Sequence, residues 1–538
     1  MKPAAAVCVM AVAVLLAAAS PAVGKQATAP EPAPTLMLQR TVPLSAARLE
    51  HIQKQGRARL AKRSGVPEFG LLRLPGVNFG QNPLCRPSAM PTFGLSVPMG
   101  KQSRRLRLKR ASASPFVHPK RIYYTRVTLG NPPKQYSLQF DTGSNLMWLR
   151  CSPCTDCSMS GQLDAPLYSP SNSSTSTNIS CSDDICKDAQ KTGHSVCQAS
   201  ETASNQCGYS QAYADGTTTE GYYVSDIMRF DTVMESKNES ATVSSAYVIF
   251  GCSNSILGPV PRDGFMGFGK DAPSVILQLN SQGVSPKAFS HCLTNSDEGG
   301  GFLVLGEVVE PGLVFTPLVP SQPRYSLNMK SIVVNGKKVH INSSLFTTSH
   351  TQGTFVDSGA PSFYLVDEVY DRLLKAVSSS CYIFFSLIHV LHFLKLSDKL
   401  FYLSTSNVSL LPVVTLYFEG GAPMTVGPKN YLVLEGYFDD LEMWCIAFQR
   451  SKDIEGYEHT TVLGDLVLRD KIFVYDLDKM RLGWVDYNCS LLNKTTLVVS
   501  VSGSMRRHAL SYFSRLIAIG VALFNANIIA LTRWLDGY

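Results

Sequence analysis

Two short segments constrain this chain more than any other feature: Leu138-Gln139-Phe140-Asp141-Thr142-Gly143-Ser144 and Thr354-Phe355-Val356-Asp357-Ser358-Gly359-Ala360. In each, β-forming residues run into Asp, a small hydroxyl residue and Gly. A strand thus delivers a carboxylate onto a tight loop, where Gly lets backbone approach closely. One Asp-Ser/Thr-Gly tripeptide is ordinary turn chemistry. Two of them, 216 residues apart and each behind a strand-like run, indicate a duplicated half-site. Facing half-sites would bring two carboxylates together, and like charges at close range cannot both ionise. One then holds a proton while the other draws a proton from water. That is the chemistry of peptide hydrolysis without a metal, a cofactor or a covalent intermediate.

At 538 residues the chain has room for two or more lobes with sizeable cores. Lys2, an apolar run from Ala4 to Ala19, and Pro21-Ala22-Val23-Gly24 read as a secretory signal peptide over 1–24. Residues 25–120 carry 17 Lys/Arg against 3 Asp/Glu, whereas the chain from Arg121 onward carries 31 against 38. The overall charge of +8 therefore hides a basic leader before an acidic body. Nucleic-acid binding is set aside. Behind a signal peptide, a basic segment over 25–118 reads as a propeptide whose cations neutralise body carboxylates until acid protonates them. The cluster from Lys101 to Arg110 is a candidate processing site; a solvated linker is the alternative. After a linker over 491–515, an apolar tail at 516–535 follows Ser502-Gly503-Ser504 and a polar spacer. That order suits membrane attachment, by lipid or by a short span, although the polar finish from Trp534 to Tyr538 fits a lipid signal poorly. The expected location is the secretory pathway, extracellular or at the cell surface.

Of the 14 Cys, Cys8 falls in the signal peptide and Cys85 in the leader. Twelve remain: Cys151, Cys154, Cys157, Cys181, Cys186, Cys197, Cys207, Cys252, Cys292, Cys381, Cys445 and Cys489. An even number in a secretory chain argues for six disulfides, whose pairing the sequence leaves open. No nearby second Cys/His pair supports reading Cys151-Ser152-Pro153-Cys154-Thr155-Asp156-Cys157 as a metal knuckle. Asn172, Asn178, Asn238, Asn342, Asn407, Asn488 and Asn493 stand in Asn-x-Ser/Thr triplets and are glycosylation candidates.

From Tyr123 the pattern is β: short alternating runs broken by Gly, Pro and Asn. Helix candidates are few, at Ala272–Gln282 and Leu365–Val377. A second β series opens near Tyr325 and ends at Asp357, so an N-terminal β lobe over 119–318 and a C-terminal one over 319–490 are expected. Asp263-Gly264-Phe265-Met266-Gly267-Phe268-Gly269 and Thr461-Val462-Leu463-Gly464-Asp465 recur well after each Asp. Such Gly permits a later strand to pack tightly behind the Asp loop.

These residues resemble the pepsin-like aspartic proteases over roughly Arg121 to Cys489, and the cysteine-rich body resembles the plant nepenthesin-like and atypical branch. A membrane-anchored subgroup exists within that branch. The resemblance implies an all-β, bilobal double-barrel fold. It implies catalysis by Asp141 and Asp357, with Thr142 and Ser358 bracing the loops, Gly143 and Gly359 admitting close backbone, and Ser144 giving Asp141 a further hydrogen bond. Tyr213-Ala214-Asp215-Gly216-Thr217 looks like the flap over the cleft, with Trp148 holding the Tyr213 hydroxyl. Substrates would be proteins or peptides, and the chain's own propeptide a partner.

Two departures stand out. Ala360 replaces the Thr or Ser of most relatives, which removes a hydrogen bond to ionised Asp357 and should raise the pair's upper apparent pKa. The apolar stretch 382–402 lacks a clean period where relatives carry a polar loop. A membrane-facing hairpin, a buried helix and a segment translated from a retained intron are its readings, the last favoured. Two functional alternatives compete with an endopeptidase: a silent two-lobed binding protein like the xylanase-inhibitor relatives, and a surface glycoprotein. The silent relatives usually lose an Asp or its Gly, and here both triplets are intact.

Overall fold

The computed structural model describes residues 35–40 and, with short interruptions, 123–500. The signal segment, most of the basic leader with its Lys101–Arg110 cluster, Asn238, Asn407, Cys157 and the tail at 516–535 lie outside the described residues.

Strands dominate, as the alternating runs predict, with few helices. In the strand Lys134–Asp141 the side chains of Tyr136, Leu138 and Phe140 all point into the core, and the strand ends on the carboxylate. It pairs antiparallel with Tyr123–Leu129 and parallel with Gly264–Gly267, Met266 lying opposite Phe140 and Gly267 opposite Asp141. Gly264–Gly267 also pairs antiparallel with Trp148–Arg150.

The second half repeats this arrangement. Gly353–Val356 runs parallel to Thr460–Leu463, Val356 opposite Leu463, and Thr460–Leu463 pairs antiparallel with Phe363–Leu365. Each Asp loop is thus crossed by a later strand entering from far along the chain. The glycines make that crossing possible. A Cβ at Gly464 would stand 2.1 Å from the Ser362 carbonyl oxygen and 2.4 Å from that of Ala360.

A 15-stranded sheet joins the two halves, since Lys471–Asp476 and Arg481–Asp486 add to the strands of the first half. Its middle also takes in Thr35–Arg40, from the segment expected as propeptide, which lies between Tyr123–Leu129 and Gly301–Val304. Beneath the Asp loops an aromatic cluster spans both halves. Phe289 stacks on Tyr475 at 4.3 Å, Phe140 meets Phe268 at 5.3 Å, and Tyr325 packs edge-on to Tyr475 at 4.6 Å. The Tyr325 hydroxyl donates to the Phe268 carbonyl. A floor of interlocked rings fixes the loops above it.

Helix boundaries differ from the sequence expectation. The first helix is Val275–Ser281, shorter than expected because the stretch around Pro273 stays non-helical. Leu365 belongs to a strand, paired into the sheet, and the second helix runs from Asp367 to Phe385. Of the apolar stretch 382–402, the residues up to Phe385 close the second helix, and 386–391 lie outside the described residues. After that helix, His392–Leu396 and Lys399–Ser404 form a hairpin that pairs with Leu441–Ile446, Phe401 opposite Cys445. Among the described residues no helix is long and apolar enough to cross a membrane.

Disulfides join Cys151 to Cys252, Cys181 to Cys197, Cys186 to Cys207, and Cys292 to Cys489; Cys154 and Cys445 are also disulfide-bonded. The sulfurs of Cys181, Cys186 and Cys197 lie close together, but all three are spent in these bonds. Asn172, Asn178, Asn342 and Asn488 are exposed, although the Asn342 side chain accepts from the Ser344 N–H.

Candidate active site

The two Asp loops meet face to face. The Thr142 N–H donates to Ser358 Oγ at 3.0 Å, and the Ser358 N–H donates to Thr142 Oγ1 at 2.9 Å. Ser358 Oγ in turn donates to the Phe140 carbonyl. All of these groups are buried, so each bond satisfies a donor or acceptor that water cannot reach. This reciprocal lock sets the distance between loops that come from the two halves of the body.

Within the lock the Asp141 and Asp357 carboxyl groups are hydrogen-bonded to each other. The Gly143 N–H donates to Asp141 Oδ1 and the Gly359 N–H to Asp357 Oδ1, each at 2.8 Å. The approach leaves no room for side chains. A Cβ on Gly143 would stand 2.4 Å from the Asp357 carboxyl, and one on Gly359 would stand 2.4 Å from Asp141 Oδ1.

The two carboxyls have different surroundings. Ser144 Oγ donates to Asp141 Oδ2 through a short contact, whereas Ala360 gives Asp357 only its backbone N–H. Burial raises the Asp141 pKa, and the donors from Ser144 and Gly143 pull it back. Asp357 is pushed up to about 8, by burial first and by the negative charge of Asp141 second. The asymmetry makes Asp357 the better proton holder and Asp141 the better base.

Tyr213 sits at the tip of the hairpin formed by Gly208–Ala212 and Thr218–Asp231, where Gly216 takes φ +82°. Trp148 Nε1–H donates to Tyr213 Oη at 2.6 Å. Tyr213 also engages Ser144. The Ser144 hydroxyl donates to Asp141 and lies beside the Tyr213 phenol. Hydrogen bonds thus join Trp148 to Tyr213 and Ser144 to Asp141, and the Tyr213 and Ser144 hydroxyls adjoin.

Sequence reasoning missed several neighbours. Phe265 stacks between the Trp148 ring at 5.3 Å and the Tyr213 ring at 4.8 Å, bracing the hairpin tip. Tyr475 adjoins Thr142 and meets His291 Nε2 at 3.1 Å. Arg324 donates to Tyr457 Oη at 2.9 Å, beside Asp357. None of these carries a local motif; only the crossing strand around Phe265 stood out in the sequence.

Paired loops on a bilobal β body, locked so that two carboxyls share a hydrogen bond, define a pepsin-like architecture. The comparisons agree. Residues 123–307 match the family model for the xylanase inhibitor N-terminal domain and residues 324–486 that for the C-terminal domain. Aspartic proteinase 36 of Arabidopsis thaliana is 34% identical, over 69% of this chain and 74% of its own. Aspartic proteinase 39 of Arabidopsis thaliana is 32% identical over 69% and 75%. Aspartic proteinase nepenthesin-2 of Nepenthes gracilis is 26% identical over 68% and 78%. A crystal structure of edgp shares the fold, with TM-score 0.53 and 19% identity over 70% of this chain and 94% of that one. The chain belongs to the pepsin-like aspartic proteases of plants.

Proposed function

We propose that the protein is an aspartic endopeptidase. The observation that carries this reading is the mutual hydrogen bond of Asp141 and Asp357, with both loop glycines and both bracing hydroxyls in place. Asp141 takes a proton from a water held between the carboxyls, and the hydroxide equivalent attacks the scissile carbonyl. Asp357 donates its proton to the carbonyl oxygen, giving a neutral tetrahedral diol. Proton return to the leaving nitrogen breaks the C–N bond. Tyr213 closes over the cleft and excludes bulk water.

The basic segment 25–118 is read as a propeptide that quenches the acidic body until acid releases it. The signal segment and the disulfides suit an oxidising, secretory compartment. The tail at 516–535 is the segment that would attach the protein to a membrane.

The test is cleavage of a denatured protein at acid pH. Pepstatin should inhibit it, and Asp141→Asn should abolish it while leaving the melting transition in place. An intact fold that cuts nothing would favour a silent binding protein, which is what the xylanase inhibitor description of the matched domains brings to mind.

A further inference from the structure

Arg324 opens the strand Tyr325–Leu327, which pairs with Gly353–Val356, the strand that delivers Asp357. Its guanidinium carbon stands 4.9 Å from the centre of the Phe355 ring and 4.7 Å from that of Tyr457. Among the described residues its hydrogen-bond partner is Tyr457 Oη, and no carboxylate ion-pairs with it. The head group is therefore a half-buried cation, held rigid by two rings, with most of its five N–H donors unspent. It is close enough to Asp357 for its charge to act on that carboxyl, and Tyr457 feels both Asp357 and Asp141.

A structural arginine in a protein body usually spends its charge on a carboxylate, as Arg469 does here with Asp465. Arg324 does not. Its anchoring ring, Phe355, lies two residues before Asp357, roughly 7 Å along an extended strand. An extended substrate over the carboxyl pair covers that distance in about two residues.

Building on the endopeptidase reading, we propose that Arg324 is a specificity-determining residue that receives an acidic side chain of the substrate within about two residues of the scissile bond. The planar fork matches a carboxylate bidentately, and the two rings hold it ready at little entropic cost.

The experiment uses peptides carrying statine at the cleavage position, with Glu, Gln or Lys placed at one flanking position at a time. Binding to the full protein is measured at about pH 5.5, where Glu is ionised. At one position the Glu peptide should bind about tenfold more tightly than the Gln peptide and the Lys peptide more weakly than either. Arg324→Met, which keeps the stacking volume, should bring Glu and Gln within about twofold while leaving the Gln peptide's affinity unchanged. Equal affinities at every position, or a Glu preference that survives in Arg324→Met, would overturn the proposal. So would equal weakening of all peptides in the variant, the result expected of a packing role, and so would a protein that binds none of them. Because binding needs no turnover, a protein that holds the Glu peptide through Arg324 yet cuts nothing would refute the endopeptidase reading alone.

Discussion

Ala360 offers Asp357 only its backbone N–H, 3.2 Å from Oδ1, whereas the equivalent residue of the first loop, Ser144, gives Asp141 a hydroxyl. A donor to an ionised carboxylate lowers its pKa, and a hydrogen bond to a charge is worth roughly 1.5 kcal/mol or more. The missing hydroxyl therefore corresponds to about one unit of pKa. Activity needs one protonated and one ionised partner, so the basic limb of the pH–rate curve follows the upper pKa. In Ala360→Thr this limb should move to lower pH by about one unit. A basic limb that stays in place in the variant's pH–rate curve would sink the argument.

The opposite change belongs to the other carboxyl. Ser144→Ala removes a donor from ionised Asp141 and raises its pKa. The acid limb should then move to higher pH, narrowing the bell from below. Tyr213 also loses its hydroxyl neighbour, so the plateau rate should fall by several-fold as well. Profiles of kcat/KM over the full acid range separate the two effects, because only the first moves a limb.

Tyr213→Phe tests the hairpin tip. The Phe ring keeps its stacking on Phe265, while the hydroxyl that Trp148 holds beside Ser144 is removed. We expect kcat/KM to fall about tenfold, in line with the loss of one positioned hydrogen bond. The melting temperature should change by only a few degrees. A variant as active as the parent would show that the hydroxyl has no part in organising Asp141.

What the sequence made legible followed from locality. Asp141, Thr142 and Gly143 are neighbours in the chain, and so are Asp357, Ser358 and Gly359. Strand, carboxylate and close-approach Gly therefore sit in one readable string. The glycines of the crossing strands were legible for the same reason. Arg324 and Tyr457 were not, because 133 residues separate them and each alone is an ordinary loop residue. Phe265 looked like any core aromatic until its two ring neighbours were placed. The stretch after the second helix stayed open between a hairpin, a helix and a translated intron for a related reason. An apolar run without period is read only when its partner is known, and here the partner strand, Leu441–Ile446, comes some forty residues later. Leu365 fits a helical pattern, but its strand pairs with Phe448–Arg450, Leu365 opposite Arg450, and that pairing overrides the local preference.

The pair Asp465–Arg469 supplies a stability prediction with a functional consequence. Both side chains are 1% exposed and meet at 2.7 Å. Removing one partner of such a pair leaves a buried, uncompensated charge and costs about 3–5 kcal/mol, whereas an exposed pair such as Lys187–Asp184 is screened by water and contributes little. Asp465→Asn should therefore lower the urea midpoint sharply, and Asp184→Asn should leave it nearly unchanged. The loss should also reach the chemistry. The Asp465 N–H donates to the Ala360 carbonyl at 2.7 Å, and the adjoining Gly464 N–H to that of Ser362 at 3.0 Å, so this turn holds the second Asp loop from behind. Turnover of Asp465→Asn, measured well below its midpoint, should fall with stability. A variant that is destabilised yet turns over at the parent rate would show that the loop keeps its shape without this support.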